Sequence, residues 1–126
     1  MPEKTKIHLE YVINCSPKVL FNRLSTASGL AEWFAGDVTV RGKIFTFSWE
    51  KSRQDAEMTI YKENKQVRFN WIGTNDEYFE FRIVQDELTS DVALIVDDFV
   101  PDDEINESVD LWNMQIADLK HIVGST

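Results

Sequence analysis

The chain is poor in the features that most quickly narrow a fold or a role. It has a single cysteine, Cys15, which cannot close an intrachain disulfide. Its three prolines are scattered, no stretch is rich in Gly and Ser, and no fixed period repeats, so neither a linker nor a repeat array divides the 126 residues. Only two histidines, His8 and His121, accompany the lone thiol, which leaves too few nitrogen and sulfur ligands for zinc. No apolar run approaches the roughly 18 residues that a membrane-spanning helix needs. The segment from Met1 to Lys6 is followed by no apolar leader-like stretch, so no secretory signal is expected and a cytoplasmic location follows by default. Positive charge is scarce as well: 13 Lys and Arg stand against 22 Asp and Glu, a net charge of −9. Such a surface repels phosphate backbones and anionic headgroups, which argues against nucleic acid and peripheral membrane binding.

What is present reads as one globular domain over residues 1–126, with 43% hydrophobic and 28% charged residues. Ile7, Leu9, Tyr11 and Ile13 alternate with polar neighbours and predict a half-buried strand ending near Asn14. Ser16 then offers a capping hydroxyl and Pro17 suits the first helical position, so a helix begins there. A second short helix is expected to carry Leu30, Trp33 and Phe34, with Gly36 as its left-handed terminator. From Asp37 to Asp98 the pattern changes to six strands separated by short polar turns, at about 37–41, 43–50, 54–62, 66–72, 77–85 and 90–98. Links this short predict an antiparallel meander. One face of it carries Phe45, Phe47, Trp49, Ala56, Met58, Ile60, Val67, Phe69, Trp71, Phe79, Phe81 and Ile83, while Arg68, Glu80 and Arg82 fall on the other as cross-strand ion pairs. After Pro101, Ile105, Val109, Trp112, Ile116, Leu119 and Val123 recur at helical spacing. A helix from about 102 to 123 is roughly 33 Å long, enough to cover the apolar face of a small sheet. The class is therefore α+β, with one long helix on an antiparallel sheet. Bulky rings on the concave face of such a sheet either interlock into a solid core or leave an apolar gap, and periodicity does not choose between them.

Three stretches carry a family resemblance: Tyr11 to Phe21 with its Ser16-Pro17 helix start, Ser25 to Val38 with Trp33-Phe34, and Leu111 to Lys120. Together they resemble the START-like proteins of the helix-grip superfamily, which includes birch-pollen allergen and polyketide cyclases. More narrowly, the chain is similar to the bacterial branch grouped with the activator of the heat-shock-ninety chaperone ATPase. The resemblance spans essentially the whole chain. It implies a seven-stranded curved antiparallel sheet gripping a long C-terminal helix, two short helices between the first two strands, and a cavity that in relatives holds lipids, sterols or other hydrophobic molecules. It implies no universal catalytic residue.

The resulting expectation is a non-catalytic domain that needs no cofactor and binds a small hydrophobic or lipid-like molecule between sheet and helix. The wall residues would be Phe47, Trp49, Met58, Phe69, Trp71, Phe79 and Phe81 from the sheet and Trp112, Gln115 and Ile116 from the helix, with Trp33 and Phe34 near the mouth. The alternative is a co-chaperone-like module with a closed core whose acidic surface is read by a protein partner. A polyketide cyclase-like enzyme is the lesser alternative, because it requires an acid–base pair inside the cavity. The inward positions offer only Tyr11 and Gln115 as polar handles. Cys15, though close to a helix start, has no neighbouring histidine or nucleophile signature and reads as a junction residue. Asp97, Asp98, Asp102, Asp103 and Glu104 lack calcium-loop spacing and read as helix capping plus a solvated face, while His121 is expected to meet free carbonyls at the helix end. Oligomeric state is not encoded in any of these patterns.

Overall fold

The alternation around Ile7 and Leu9 makes β1 (Lys4–Val12), and Ser16 caps the helix that follows, its hydroxyl accepting the backbone N–H of Val19 at 3.2 Å. That helix, α1 (Pro17–Ser25), buries Leu20, Phe21 and Leu24 and leads into the single turn α2 (Ala27–Leu30). Next come β2 (Asp37–Arg41), β3 (Ile44–Trp49), β4 (Ser52–Lys62), β5 (Gln66–Trp71), β6 (Tyr78–Gln85) and β7 (Val92–Pro101). A 3-10 turn, Asp102–Glu104, precedes the long helix α3 (Ile105–Ile122). This computed structural model describes residues 3–125; Met1, Pro2 and Thr126, which the single-domain expectation takes in, lie outside the described residues.

All seven strands form one antiparallel sheet in the order β1-β7-β6-β5-β4-β3-β2. The chain climbs the meander from β2 to β7 and closes it with β1, paired from Lys4↔Pro101 to Val12↔Ala93. The result is an α+β helix-grip layout: α3 lies over the apolar face, which it meets through Trp112, Ile116 and Leu119. No described helix is long and apolar enough to cross a membrane.

Four local expectations are corrected. The second short helix stops at Leu30, so Trp33 and Phe34 sit in the turns after it. Gly36 does not adopt a left-handed backbone. It stands where the chain enters the sheet, its N–H bonded to the Ser48 carbonyl at 2.9 Å, and an added Cβ there would lie 3.2 Å from that oxygen. In β4 the pairing shifts between Met58 and Ile60, which matches an extra residue inserted into one strand. Ile60 therefore pairs with Arg68 rather than with an inward residue, and Tyr61 pairs with Val67 and meets the Phe21 ring edge-on at 5.5 Å. The inward parity read from sequence holds for Ala56 and Met58 and fails at Ile60.

The fourth correction concerns the acidic stretch. Asp102, Asp103 and Glu104 form the exposed 3-10 turn, where the Thr5 hydroxyl donates to Asp102, and no side chain caps α3. Asp97 and Asp98 instead lie within β7 and point to opposite faces of the sheet. Asp97 is buried on the outer face beside Glu80, its direct cross-strand partner, each only 4% exposed. Two carboxylates in register would repel, and cations on both flanks offset this. Lys6 Nζ lies 3.9 Å and His8 Nδ1 2.6 Å from Asp97, Arg68 Nε donates to Glu80 at 2.9 Å, Gln66 Nε2 donates to the same oxygen at 2.7 Å, and Arg82 reaches both acids at 3.6 and 3.7 Å.

Candidate functional site: an aromatic pocket under the C-terminal helix

Alternation in β7 sends Val92, Leu94, Val96 and Val100 into the core, and Asp98 occupies the same row. Directly across from it on β6 is Phe79, and on the other side is Ile7 of β1. The helix α3 passes above this point and presents Trp112, whose indole N–H donates to Asp98 Oδ2 at 2.9 Å. A cavity of about 180 Å³ opens here between sheet and helix. Its walls are the rings of Phe34, Trp49, Trp71, Phe79 and Trp112, with Gln115 and the exposed Leu111 at the helix side.

The rings hold one another in place. Phe34 stacks on Phe79 at 5.0 Å, meets Trp112 at 5.8 Å, and touches Phe47 edge-on at 5.3 Å. Trp71 lies 5.0 Å from Phe79 and 6.4 Å from Trp49. Trp49 Nε1 and Gln115 Nε2 both donate to the Phe34 carbonyl, at 3.1 and 3.2 Å, so β3, α3 and the segment after α2 converge on one oxygen. Among the described residues, Asp98 is the one ionisable side chain lining the cavity. Removal from water raises its pKa from the usual carboxylate value to about 6, against the stabilising hydrogen bonds from the Trp112 indole and the Phe99 backbone. Lys4 favours the ionised form and Glu77 disfavours it, and these two side chains are ion-paired with each other.

Of the twelve wall residues expected from sequence, six line the cavity: Phe34, Trp49, Trp71, Phe79, Trp112 and Gln115. Phe47, Phe69, Phe81 and Ile116 are instead fully buried in the solid part of the core. Trp33 packs against Phe81 at 5.6 Å and donates its indole N–H to the Arg23 carbonyl, so it anchors α1 rather than the mouth. Met58 is half-buried at the core margin, paired with Phe69. The interior is thus both alternatives at once, with interlocked rings toward Phe45 and Phe69 and a gap at the Trp49 and Trp112 end. Sequence reasoning missed Asp98, having placed it in a solvated cluster. The available signal was its parity with Val96 and Val100, which marks it as inward.

The other polar candidates lie elsewhere. The Tyr11 hydroxyl bonds Asn113 on α3 at 2.7 Å, outside the cavity. Burial pushes the Cys15 thiol above its ordinary value, with a weaker opposing hydrogen bond from the Leu20 backbone. His121 is exposed in the last turn of α3, where its carbonyl accepts the N–H of Gly124. A larger groove of about 580 Å³ beside Pro17, Lys65 and Arg82 is open to solvent and lies away from α3.

Comparison with known proteins agrees with this architecture. The family model of the START-like superfamily domain matches residues 1–125. The solution structure of BfR322 from Bacteroides fragilis is 34% identical, with a TM-score of 0.67 over 95% of this chain and 91% of that one. The solution structure of the Aha1 dimer from Colwellia psychrerythraea superposes with a TM-score of 0.80 at 18% identity, covering 94% and 96% of the two chains. The crystal structure of MLL2253 from Mesorhizobium loti gives a TM-score of 0.79 at 15% identity over 95% and 97%. These last two likenesses concern the fold. Comparison with curated proteins gave no match.

Proposed function

The chain belongs to the START-like superfamily, and from that premise we propose that it binds a small hydrophobic or amphipathic molecule in the cavity between the sheet and α3, without catalysing a reaction. The observation that carries this reading is the ring-walled gap itself: five aromatic side chains and one carboxyl converge on space that a filled core would have closed. Size narrows the ligand class. At about 180 Å³ the cavity is smaller than the roughly 300–1,000 Å³ of drug-sized sites, so it suits a compact ligand and not a sterol or a two-chain lipid. The non-catalytic part of the proposal rests on the lining: among the described residues Asp98 is its only titratable side chain, and an acid–base pair of the cyclase kind needs two.

The test is a titration of intrinsic fluorescence and thermal midpoint with short fatty acids, compact amines, single- and two-ring aromatics, and sterols. Trp49, Trp71 and Trp112 lie on the cavity wall and report occupancy directly. A ligand that binds the folded chain alone raises the midpoint by mass action, by about 2.7 kcal/mol of stability at a hundredfold excess over Kd. Saturable quenching with a matching rise for one compact class supports the proposal. A flat response across the whole panel overturns it and shifts weight to the protein-interaction alternative, which a salt-dependent pull-down with the chaperone then examines.

A further inference from the structure

The row Val92, Leu94, Val96, Asp98, Val100 is apolar at every position except the one that faces the cavity. A carboxyl there is costly, since it gives up water and receives one side-chain donor, the Trp112 indole. The other positions of the row are valine and leucine, so the sheet itself calls for no carboxyl there, and its one side-chain partner is the Trp112 indole N–H. Its flanks supply no cation that faces it alone, because Lys4 is paired with Glu77 and Arg82 serves the outer face. The cavity therefore combines a carboxyl that has hydrogen-bond donors but no ion-paired cation of its own with aromatic walls on β3, β5, β6, α3 and the segment before β2. Rings present a negative face, and carboxylate and ring faces together favour a cation over a neutral molecule or an anion of equal shape.

We propose that this cavity selects a compact organic cation, a primary or quaternary amine on a small apolar body, with its charged head against Asp98 and its body among Trp49, Trp71 and Phe79. This inference rests on the small-molecule reading above and specifies its ligand class. A cation beside Asp98 offsets the desolvation cost that its carboxylate bears, so the ligand and the residue stabilise each other. Gln115 Nε2 and Trp49 Nε1 both donate to the Phe34 carbonyl, so that oxygen is already satisfied and Asp98 is the charged acceptor for the head group.

Three probes of nearly one shape separate the possibilities: phenethylamine, phenethyl alcohol and phenylacetate, titrated by tryptophan fluorescence at about pH 8, where Asp98 is ionised. The amine should bind at least about tenfold more tightly than the alcohol, the size expected of a charge-assisted and ring-assisted contact, and phenylacetate should bind weakest. In Asp98→Asn, whose amide oxygen can still accept from Trp112, the affinity ratio of amine to alcohol should fall to about one. Lowering the pH through about 6 should weaken the amine in the native chain and leave the alcohol unchanged. Equal or stronger binding of the alcohol or of phenylacetate overturns the cation inference and leaves the small-molecule reading standing. If no probe gives a saturable response and the panel above is also silent, both fall together. Retention of the amine preference in a folded Asp98→Asn variant overturns the role of Asp98.

Discussion

At the scale of single residues, Asp98 is the group whose surroundings say most. Its folded-state pKa is raised above its unfolded value, so between about pH 4 and 6 the native state holds a proton that the unfolded chain has released. Stability from this group is therefore highest at low pH and falls as pH rises through that window, the reverse of a salt-bridged carboxylate. The full difference is about 2–3 kcal/mol, from about 1.4 kcal/mol per pKa unit. Asp98→Asn removes the ionisation and keeps an acceptor for Trp112. Urea unfolding should find this variant about 2 kcal/mol more stable than the native chain near pH 8 and equal to it near pH 4. A variant less stable at both pH values would show that the carboxylate is structurally required. Residue type alone could not reveal any of this, because Asp97 and Asp98 look alike in sequence. One lies among cations and the other among rings solely because a strand alternates.

At the scale of elements, the periodic segments were legible and their ends and irregularities were not. β1, the meander and α3 follow from alternation and helical spacing, which reflect burial of one face. The β4 register shift at Met58 and Ile60 escaped notice because an inserted residue is defined by its partner strand, not by its own sequence. The second short helix was overextended because Trp33 and Phe34 share its apolar character while serving the core from a turn. The junction of α1 and α2 depends on Gly29: a Cβ there would stand 2.4 Å from the Asn22 carbonyl and 2.7 Å from Arg23 Cα, both backbone atoms. Gly29→Ala must therefore push α2 off α1, at a cost of about 1–3 kcal/mol. Thermal unfolding should show a lowered midpoint, and an unchanged midpoint would mean that the two helices separate freely. Because the Phe34 N–H is bonded to the Leu30 carbonyl at the end of α2 at 2.8 Å, the same substitution should also disturb the cavity wall and its tryptophan emission.

At the scale of the whole molecule, charge and cavity set the terms. A net charge of −9 opposes compaction through self-repulsion. Raising ionic strength from about 0.01 to 0.1 M shortens the screening length from about 30 to 10 Å, so the thermal midpoint should climb with sodium chloride. A midpoint independent of salt would mean that local ion pairs such as Arg68 with Glu80 already balance the field. Half of the expected wall was legible in the sequence because the inward parity was right, but periodicity cannot separate a ring that fills space from one that borders it. That distinction depends on where α3 crosses the sheet. The crossing point also governs how a guest could be admitted. The Phe34 carbonyl accepts two donors, one from β3 and one from α3, and either alone is enough to satisfy it. If the Gln115 side chain alone lets go, Trp49 still holds the oxygen, so its release strands no buried acceptor and forfeits about 1 kcal/mol of hydrogen bonding. The doubled bond thus gives the rim a spare fastening: Gln115 can turn aside for a guest while Trp112, Ile116 and Leu119 keep α3 seated on the sheet.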